Sequence, residues 1–310
     1  MGSYIEPEKV FTLNTGAAIP AFGLGTWQSA PEETIKAVKH AISVGYRHID
    51  TAYFYGNEES IGQALKEVLD EGVVDRKDLF ITTKLWCTYH TRVEEALDKS
   101  LQSLGLDYVD LYLMHWPIAM NANGNHDTRP MKEDGSRDLD TTRSHVQTYH
   151  DMEKLLVSGK VKAIGVANYS VGYLKELLAN CSVVPAVCQV ELHPRLPQEE
   201  LVAFCRQHGI HNTAYSPLGS SGAPLISDPV VQALATQKAK PAGNILLNYH
   251  VERGCSVLPK SVDPSRIAQN RQLVPLSKSD MLELSAISKD RPKRFLCPDF
   301  AGQFGWTDTK

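Results

Sequence analysis

Short apolar segments alternate with amphipathic helical patterns along the whole chain of 310 residues, and this alternation limits the fold more than any other feature. Eight such segments occur in order: "AFGLG", "YRHID", "LFITTKLW", "YVDLYLMHW", "VKAIGVAN", "AVCQVE", "GIHNTAYS" and "CSVLPKS". The helical patterns between them begin with proline or acidic residues and often end at glycine, as in "PEETIKAVKHAISVG". Strands that alternate with helices predict βαβ units and a parallel sheet.

Eight such units in about 300 residues favour a closed barrel over an open sheet. The chain contains no linker, low-complexity stretch or charge block, so we expect one (β/α)8 TIM barrel domain over residues 1–310. An open dinucleotide-binding sheet needs G-x-G-x-x-G after its first strand, and the nearest match, "GLGTW", lacks the third glycine. Ahead of the barrel, "KVFTLNTGAAIP" predicts an N-terminal β-hairpin that turns at residues 14–16.

Charge and cysteine content exclude several classes of function. The net charge is −4 with a pI near 6.3, and no long basic run occurs, which argues against nucleic acid or an anionic membrane as a partner. None of the six cysteines forms a CxxC pair or a metal-ligand spacing, so they are expected to be reduced thiols. The polar N-terminus lacks the apolar core of a signal peptide, and the expected location is therefore cytoplasmic.

Polar residues follow the apolar segments, at the positions where strands of a barrel end. Active-site residues of such barrels lie at this carboxyl-terminal face. Asp50, Lys84 and His115 end the second, third and fourth segments, and alternation along a strand allows all three to point inward. A buried carboxylate is costly unless it is paired, so Lys84 is the expected partner of Asp50. The later segments end in Asn168, Gln189, Tyr215, Ser216, Lys260 and Ser261.

Each of these residues also has an ordinary structural explanation. A single lysine or aspartate at a strand end is usually a solvated loop residue, and Asn168, Gln189 or Ser216 could simply cap turns. Their joint placement on one rim is what favours a functional site. A metal-dependent hydrolase would need clustered histidines and carboxylates, but only His115 and Asp50 qualify, and the lysine between them argues against a metal.

Longer stretches share a family pattern: "GYRHIDTAYFYGNE", "KLWCTYH", "SLGLDYVDLYLMHWP", "GVANYS", "QVELHP", "AYSPLG" and "LPKSVDPSRIAQN". Together they resemble the aldo-keto reductase superfamily from Leu13 to about Arg294. "LNTGAAIPAFGLGTWQS", "TTKLWCT" and "KEDGSRDLD" are most similar to fungal NADP-dependent glycerol dehydrogenases and to polyol and glyceraldehyde reductases. The resemblance implies an NADP-dependent oxidoreductase that interconverts carbonyl and alcohol groups.

The resemblance implies four catalytic residues: Asp50, Tyr55, Lys84 and His115. A phenol has a pKa near 10, and an adjacent ammonium group would lower it. We therefore expect Tyr55 to be the general acid, Lys84 to lower its pKa, and Asp50 to keep Lys84 charged. His115 would hydrogen-bond the substrate oxygen. Tyr53 is the competing phenol, but the family pattern assigns the acid to the second tyrosine.

The implied cofactor is NADP(H). Tyr215 would stack on the nicotinamide, Asn168 and Gln189 would bind its carboxamide, and Lys260 and Arg266 would hold the 2′-phosphate. Two positions depart from the family pattern: Ala167 replaces a common serine, and Gln269 replaces a common acid. Asp263 places a carboxylate near the phosphate. The full predicted set is Gly25, Thr26, Trp27, Asp50, Asn168, Gln189, Tyr215, Ser216, Leu218, Ser220, Lys260, Ser261, Val262, Arg266, Gln269 and Asn270.

The substrate is expected to be a small carbonyl compound or polyol that binds to a monomer. Residues Trp27, Tyr55, Trp86, His115 and Trp116 would contact it, and the loop 117–144 and the tail 291–310 would border the pocket. Glycerol and glyceraldehyde, aldoses such as xylose or arabinose, and uronic acids remain alternatives. A non-catalytic relative, resembling a channel subunit or a lens crystallin, is the alternative class of function.

Overall fold

The structure is a computed structural model that describes residues 9–300. Its central element is a sheet of eight parallel strands, in which each strand pairs with the next one along the chain. The strands are β3 (Gly23–Gly25), β4 (His48–Asp50), β5 (Phe80–Leu85), β6 (Val109–Met114), β7 (Val161–Ala167), β8 (Val187–Glu191), β9 (His211–Tyr215) and β10 (Ser256–Leu258).

The first and last strands of this sheet meet and close it into a barrel. Parallel bridges join Phe22 to Val257 and Gly25 to Lys260, and the amide of Gly25 donates to the carbonyl of Pro259 at 3.0 Å. Most side chains on both faces of the strands are therefore buried, which explains why the strands read as mainly apolar runs rather than as alternating ones. The predicted (β/α)8 barrel is confirmed.

Helices pack around the barrel, most of them with their apolar faces against the strands. They are α1 (Pro31–Ser43), α2 (Glu58–Asp70), α3 (Val93–Leu104), α4 (His145–Leu155), α5 (Val171–Leu178), α6 (Glu199–Gln207), α7 (Pro229–Lys238), α8 (Ala242–Glu252), α9 (Pro264–Asn270) and α10 (Lys278–Asp290). Helices α7, α8 and α10 share a separate apolar cluster that includes Val231, Ile245 and Leu284. Among residues 9–300, no helix is long and apolar enough to cross a membrane.

The predicted hairpin closes the amino-terminal end of the barrel. It consists of β1 (Val10–Thr12) and β2 (Ala18–Pro20), and Gly16 has a φ of 83° in its turn, which suits glycine. Leu13 and Ile19 of the hairpin pack on Phe80, Leu111 and other buried side chains from the strands. This end is filled by apolar side chains, and the large cavity of the barrel lies at the opposite, carboxyl-terminal end.

Candidate active site

Lys84 and Asp50 form an ion pair in the interior of the barrel. Their side chains are 1% and 4% exposed, and Lys84 Nζ lies 2.7 Å from Asp50 Oδ1. Nζ also donates to the carbonyl of Thr51 at 2.8 Å and to the hydroxyl of Tyr55 at 3.3 Å. Three acceptors thus match the three donors of a protonated amine. Burial lowers the pKa of Lys84, and the charge of Asp50 opposes that shift.

The geometry distinguishes Tyr55 from Tyr53. Both lie in one turn of 3-10 helix, Tyr53–Tyr55, which follows β4 and ends at Gly56 with a φ of 66°. This turn directs Tyr55 toward the ion pair, with Lys84 Nζ 5.0 Å from the centre of its ring. The hydroxyl of Tyr53 instead lies 3.2 Å from that of Tyr89. Only the second tyrosine is therefore in contact with Lys84.

The acidity of Tyr55 differs from the sequence-based expectation. Burial raises the pKa of Tyr55 well above its usual value, and the negative charge of Asp50 raises it further. Lys84 does not reverse this shift, because Asp50 already balances its charge and because a buried phenolate has lost its hydration. The hydroxyl of Tyr55 is therefore protonated at neutral pH, and it is held in place by the lysine rather than ionised by it.

His115 faces Tyr55 across the barrel mouth, with ring centres 5.7 Å apart. Burial lowers the pKa of His115 well below its usual value, and Lys84 adds to the effect, so the ring is neutral. Its Nδ1 atom is buried without a hydrogen-bond partner within the described part of the chain. A neutral imidazole opposite a protonated phenol can hydrogen-bond an oxygen atom placed between the two rings.

Two amide side chains connect neighbouring strand ends around this centre. Gln189 donates to Asp50 Oδ2 at 2.8 Å, so both oxygens of that carboxylate are hydrogen-bonded. Asn168 donates to the backbone carbonyl of His115 at 2.9 Å and accepts from the hydroxyl of Tyr215 at 2.7 Å. Asn168 has a φ of 62°, which asparagine tolerates better than most residues do. Each of these amides keeps a second N–H and an oxygen lone pair that could bind a carboxamide group.

A single cavity of about 1030 Å³ opens above these residues. It is larger than most small-molecule sites and has room for a dinucleotide together with a small substrate. Of the predicted site residues, only Lys84 does not line it, because it lies behind Tyr55. The lining set is Gly25, Thr26, Trp27, Asp50, Tyr55, Trp86, His115, Trp116, Asn168, Gln189, Tyr215, Ser216, Leu218, Ser220, Lys260, Ser261, Val262, Arg266, Gln269 and Asn270.

Cationic side chains border the cavity beside β10 and α9. Lys260 follows β10, and its ammonium has one weak contact, 3.4 Å from the carbonyl of Gln28. Arg266 is 69% exposed and lies 3.9 Å from Asp263. Asp263 caps α9, and its carboxylate accepts from the backbone amide of Arg266 at 2.8 Å. The carboxylate is therefore partly neutralised by its capping bond, and two largely available cations remain beside it.

Aromatic rings form the other half of the cavity wall. Phe54 stacks on Trp86 with ring centres 3.7 Å apart and also on Trp27 at 5.5 Å. Trp116 contacts Phe300 edge-to-face at 5.4 Å. The sequence had indicated the three tryptophans but not Phe54, although it lies between two tyrosines that had been considered. Residues 301–310 of the predicted tail lie outside the described residues.

The tail enters the cavity wall from a buried anchor at Glu191. This side chain is fully buried at the end of β8, and its two oxygens accept from the backbone amides of Phe295 at 2.7 Å and Leu296 at 2.8 Å. His193 contacts the same carboxylate at 2.8 Å. Leu296 and Phe300 then line the cavity. The sequence had indicated that the tail would border the pocket, but not what holds it there.

Two arginines from the loop after β6 also line the cavity, and sequence reasoning had not identified them. They are Arg129 and Arg137, and the latter pairs with Asp299 of the tail at 2.7 Å. Loop 117–144 had been expected to border the pocket. The arginines of this long loop were therefore candidates that the sequence already offered. Within residues 9–300, no group of three or more histidine, cysteine or acidic side chains is arranged to hold a metal ion.

The barrel and the large cavity at the carboxyl ends of its strands have the architecture of TIM-barrel enzymes, whose active sites lie at that face. Comparison with known proteins identifies the group more closely. Residues 20–289 match the model of the Aldo/keto reductase family, and the chain belongs to that family. The predicted family and the predicted class of oxidoreductase are thereby confirmed.

Individual relatives are similar over nearly their whole length. A D-galacturonate reductase from Hypocrea jecorina is 51% identical, covering 96% of this chain and 98% of the relative. A glycerol 2-dehydrogenase (NADP(+)) from Saccharomyces cerevisiae is 48% identical, covering 96% of both chains. The solved structure of an aldose reductase from Schistosoma japonicum superposes with a TM-score of 0.90 at 38% identity, covering 96% of this chain and 97% of that one.

Proposed function

We propose that this protein, acting as a single-domain monomer, reduces small aldehydes and ketones with NADPH and oxidises polyols such as glycerol in the reverse direction. The observation that carries this proposal is the hydroxyl of Tyr55. It is held by the buried pair of Lys84 and Asp50 at the floor of a cavity large enough for cofactor and substrate. A protonated phenol in this position has the chemistry of a general acid.

The cavity fits the predicted cofactor NADP(H), which is also the cofactor named for the yeast relative. Lys260 and Arg266 offer two available cations for a 2′-phosphate, and Tyr215 offers a flat ring near Asn168 and Gln189. Bound NADPH would supply the hydride for reduction of the carbonyl carbon. The protein then has to provide a proton for the carbonyl oxygen and polar groups that orient it.

The residues around that oxygen have separate tasks in this proposal. Tyr55 donates its proton to the oxygen, because an alkoxide is far more basic than a phenolate. Lys84 stabilises the phenolate left behind, and Asp50 together with the carbonyl of Thr51 holds the ammonium in position. His115, neutral and fixed through its backbone by Asn168, hydrogen-bonds the same oxygen and orients it.

Oxidation of NADPH with a panel of carbonyl compounds tests the proposal. Glyceraldehyde, dihydroxyacetone, xylose and galacturonate should be compared, with loss of absorbance at the nicotinamide band as the signal. We expect saturable turnover with at least one of the smaller aldehydes. If NADPH binds but no carbonyl compound is reduced, the protein belongs to the alternative class of non-catalytic barrels.

The raised pKa of Tyr55 predicts different pH profiles for carbonyl reduction and for alcohol oxidation. Reduction needs the protonated phenol, so kcat/KM for glyceraldehyde should stay nearly constant from pH 6 to pH 8. Oxidation needs the phenolate, which becomes more abundant as the pH approaches the raised pKa, so kcat/KM for glycerol should rise by about tenfold per pH unit over the same range. A loss of reduction activity centred near pH 7 would show that Lys84 lowers the pKa after all.

The choice of cofactor is tested by replacing Arg266 with alanine. A charge-assisted contact contributes roughly 1.5–3 kcal/mol, so this change should weaken NADPH binding by about 10- to 150-fold and barely affect NADH. Titration of both cofactors by quenching of tryptophan fluorescence measures the two dissociation constants.

A matched control is Arg271→Ala, which removes a cation just beyond the end of α9 that does not line the cavity. The control should leave the preference for NADPH unchanged. Equal dissociation constants for NADH and NADPH in the unmodified protein would contradict the assignment of Lys260 and Arg266 to the 2′-phosphate.

A further inference from the structure

Arg129 places a positive charge in the aromatic half of the cavity. Its guanidinium carbon lies 4.9 Å from the centre of the Phe54 ring, as in a cation–π contact. The loop around it is tied to the barrel, because Trp86 Nε1 donates to the carbonyl of Thr128 at 2.7 Å and Thr88 donates to that of Asp127 at 2.8 Å. The guanidinium of Arg129 is exposed, but these hydrogen bonds hold the neighbouring backbone next to the site.

Arg129 has no acidic partner among residues 9–300, unlike the other cations near this half of the cavity. Arg137 pairs with Asp299, and Asp50 pairs with Lys84. Lys260 follows β10, which lies across the eight-stranded barrel from β6, the strand that precedes the loop carrying Arg129. The aromatic half of the cavity therefore has a net positive charge.

The same wall contains further hydrogen-bond donors without acceptors. Nε and Nη1 of Arg137 are buried and have no partner within the described part of the chain. These two nitrogen atoms are not accessible from the cavity, so Arg137 adds positive charge to the wall without offering them to a ligand. Arg129, which is exposed and lines the cavity, is therefore the arginine on which a ligand contact can be argued.

Distances limit the size of a ligand that reaches from the reacting centre to Arg129. The ring of Phe54 lies 6.3 Å from that of His115 and 4.9 Å from the guanidinium carbon, so the latter is at most about 11 Å from the imidazole. An extended six-carbon chain spans about 6 Å, and a hydrogen bond of about 3 Å at each end brings the total slightly above that limit, so about six carbons is the longest chain that fits between the two groups.

We infer that Arg129 is a specificity-determining residue, which binds the carboxylate of an aldehyde acid of about six carbons while its aldehyde group lies between Tyr55 and His115. The substrate class is thus the open-chain uronic acids. A planar guanidinium matches a carboxylate in geometry as well as in charge. This inference rests on the proposed carbonyl reduction and adds a charge preference to it.

The sharpest test compares D-galacturonate with D-galactose, which differ only by a carboxylate in place of a CH2OH group. The measured quantity is the ratio of kcat/KM for the two substrates with NADPH. We expect Arg129→Gln to lower this ratio by about tenfold, the lower end for a charge-assisted contact because the side chain is exposed. Arg129→Lys keeps the positive charge, so this variant should retain most of the preference for galacturonate over galactose.

Lys132→Gln is the matched control, since Lys132 lies in the same loop, is exposed and does not line the cavity. It should leave the ratio unchanged. An unaltered ratio in Arg129→Gln, or an equal fall in the control, would overturn the inference. Glyceraldehyde separates this failure from a failure of the proposed function: if even glyceraldehyde is not reduced, the reductase proposal is wrong, whereas its reduction with an unaltered ratio refutes only the role of Arg129.

Discussion

Replacement of Tyr55 by phenylalanine is expected to lower the turnover number by at least 10²–10⁴-fold while cofactor binding stays intact. This range is the usual contribution of a general acid. Phenylalanine keeps the ring that packs 4.9 Å from Trp27 and removes only the hydroxyl that contacts Lys84. Stopped-flow or steady-state assays with glyceraldehyde give the turnover number, and fluorescence titration with NADPH gives the dissociation constant.

Tyr53→Phe is the natural control for that experiment. Tyr53 belongs to the same turn, but its hydroxyl contacts Tyr89 rather than the ion pair, and burial together with Tyr89 raises its pKa to about 12. Its loss should change turnover only slightly. If Tyr53→Phe proves the more damaging of the two changes, the assignment of the acid to Tyr55 is wrong.

Lys84→Met should remove nearly all activity and also destabilise the fold. Methionine leaves Asp50 buried without its partner, and breaking one side of a buried pair costs roughly 3–5 kcal/mol. The carboxylate of Asp50 would keep its 2.8 Å hydrogen bond from Gln189. That neutral amide does not balance the negative charge. Urea unfolding followed by circular dichroism measures the change in the free energy of unfolding. Stability equal to that of the unmodified protein would show that Asp50 is not desolvated.

Two further variants separate the structural effect from the catalytic one. In Asp50→Asn/Lys84→Met, neither charge remains, so most of the lost stability should return, whereas turnover should not. Lys39→Met breaks a surface pair with Glu67, whose side chains are both about one-third exposed. Screening by water makes such pairs weak, so this control should unfold at nearly the original urea concentration.

The centre of the site could be predicted because its signals are local or follow from the barrel itself. Asp50 and Lys84 end neighbouring strands, β4 and β5, and parallel strands bring their carboxyl ends to one rim. The pairing therefore follows from the strand order and from the high cost of burying either charge alone. The acidity of Tyr55 could not be predicted in the same way, because it depends on how completely the phenol is buried.

The outer half of the site was less accessible to sequence reasoning. Arg129 lies more than 70 residues from Phe54 along the chain, and nothing in its neighbours indicates that the loop folds back over the aromatic wall. The hydrogen bond from Trp86 to Thr128 creates that proximity, and it joins a strand end to an irregular loop.

The buried carboxylate of Glu191 fixes the position of the tail without depending on the side chains that the tail carries. The carboxylate accepts hydrogen bonds from the backbone amides of Phe295 and Leu296, and these bonds do not involve the side chains at those positions. Residues 296–300 can therefore be exchanged in evolution or in protein engineering without moving the point where the segment leaves the barrel. New substrate preferences can arise in this way by substitutions in a short segment, while Asp50, Tyr55, Lys84 and His115 stay unchanged.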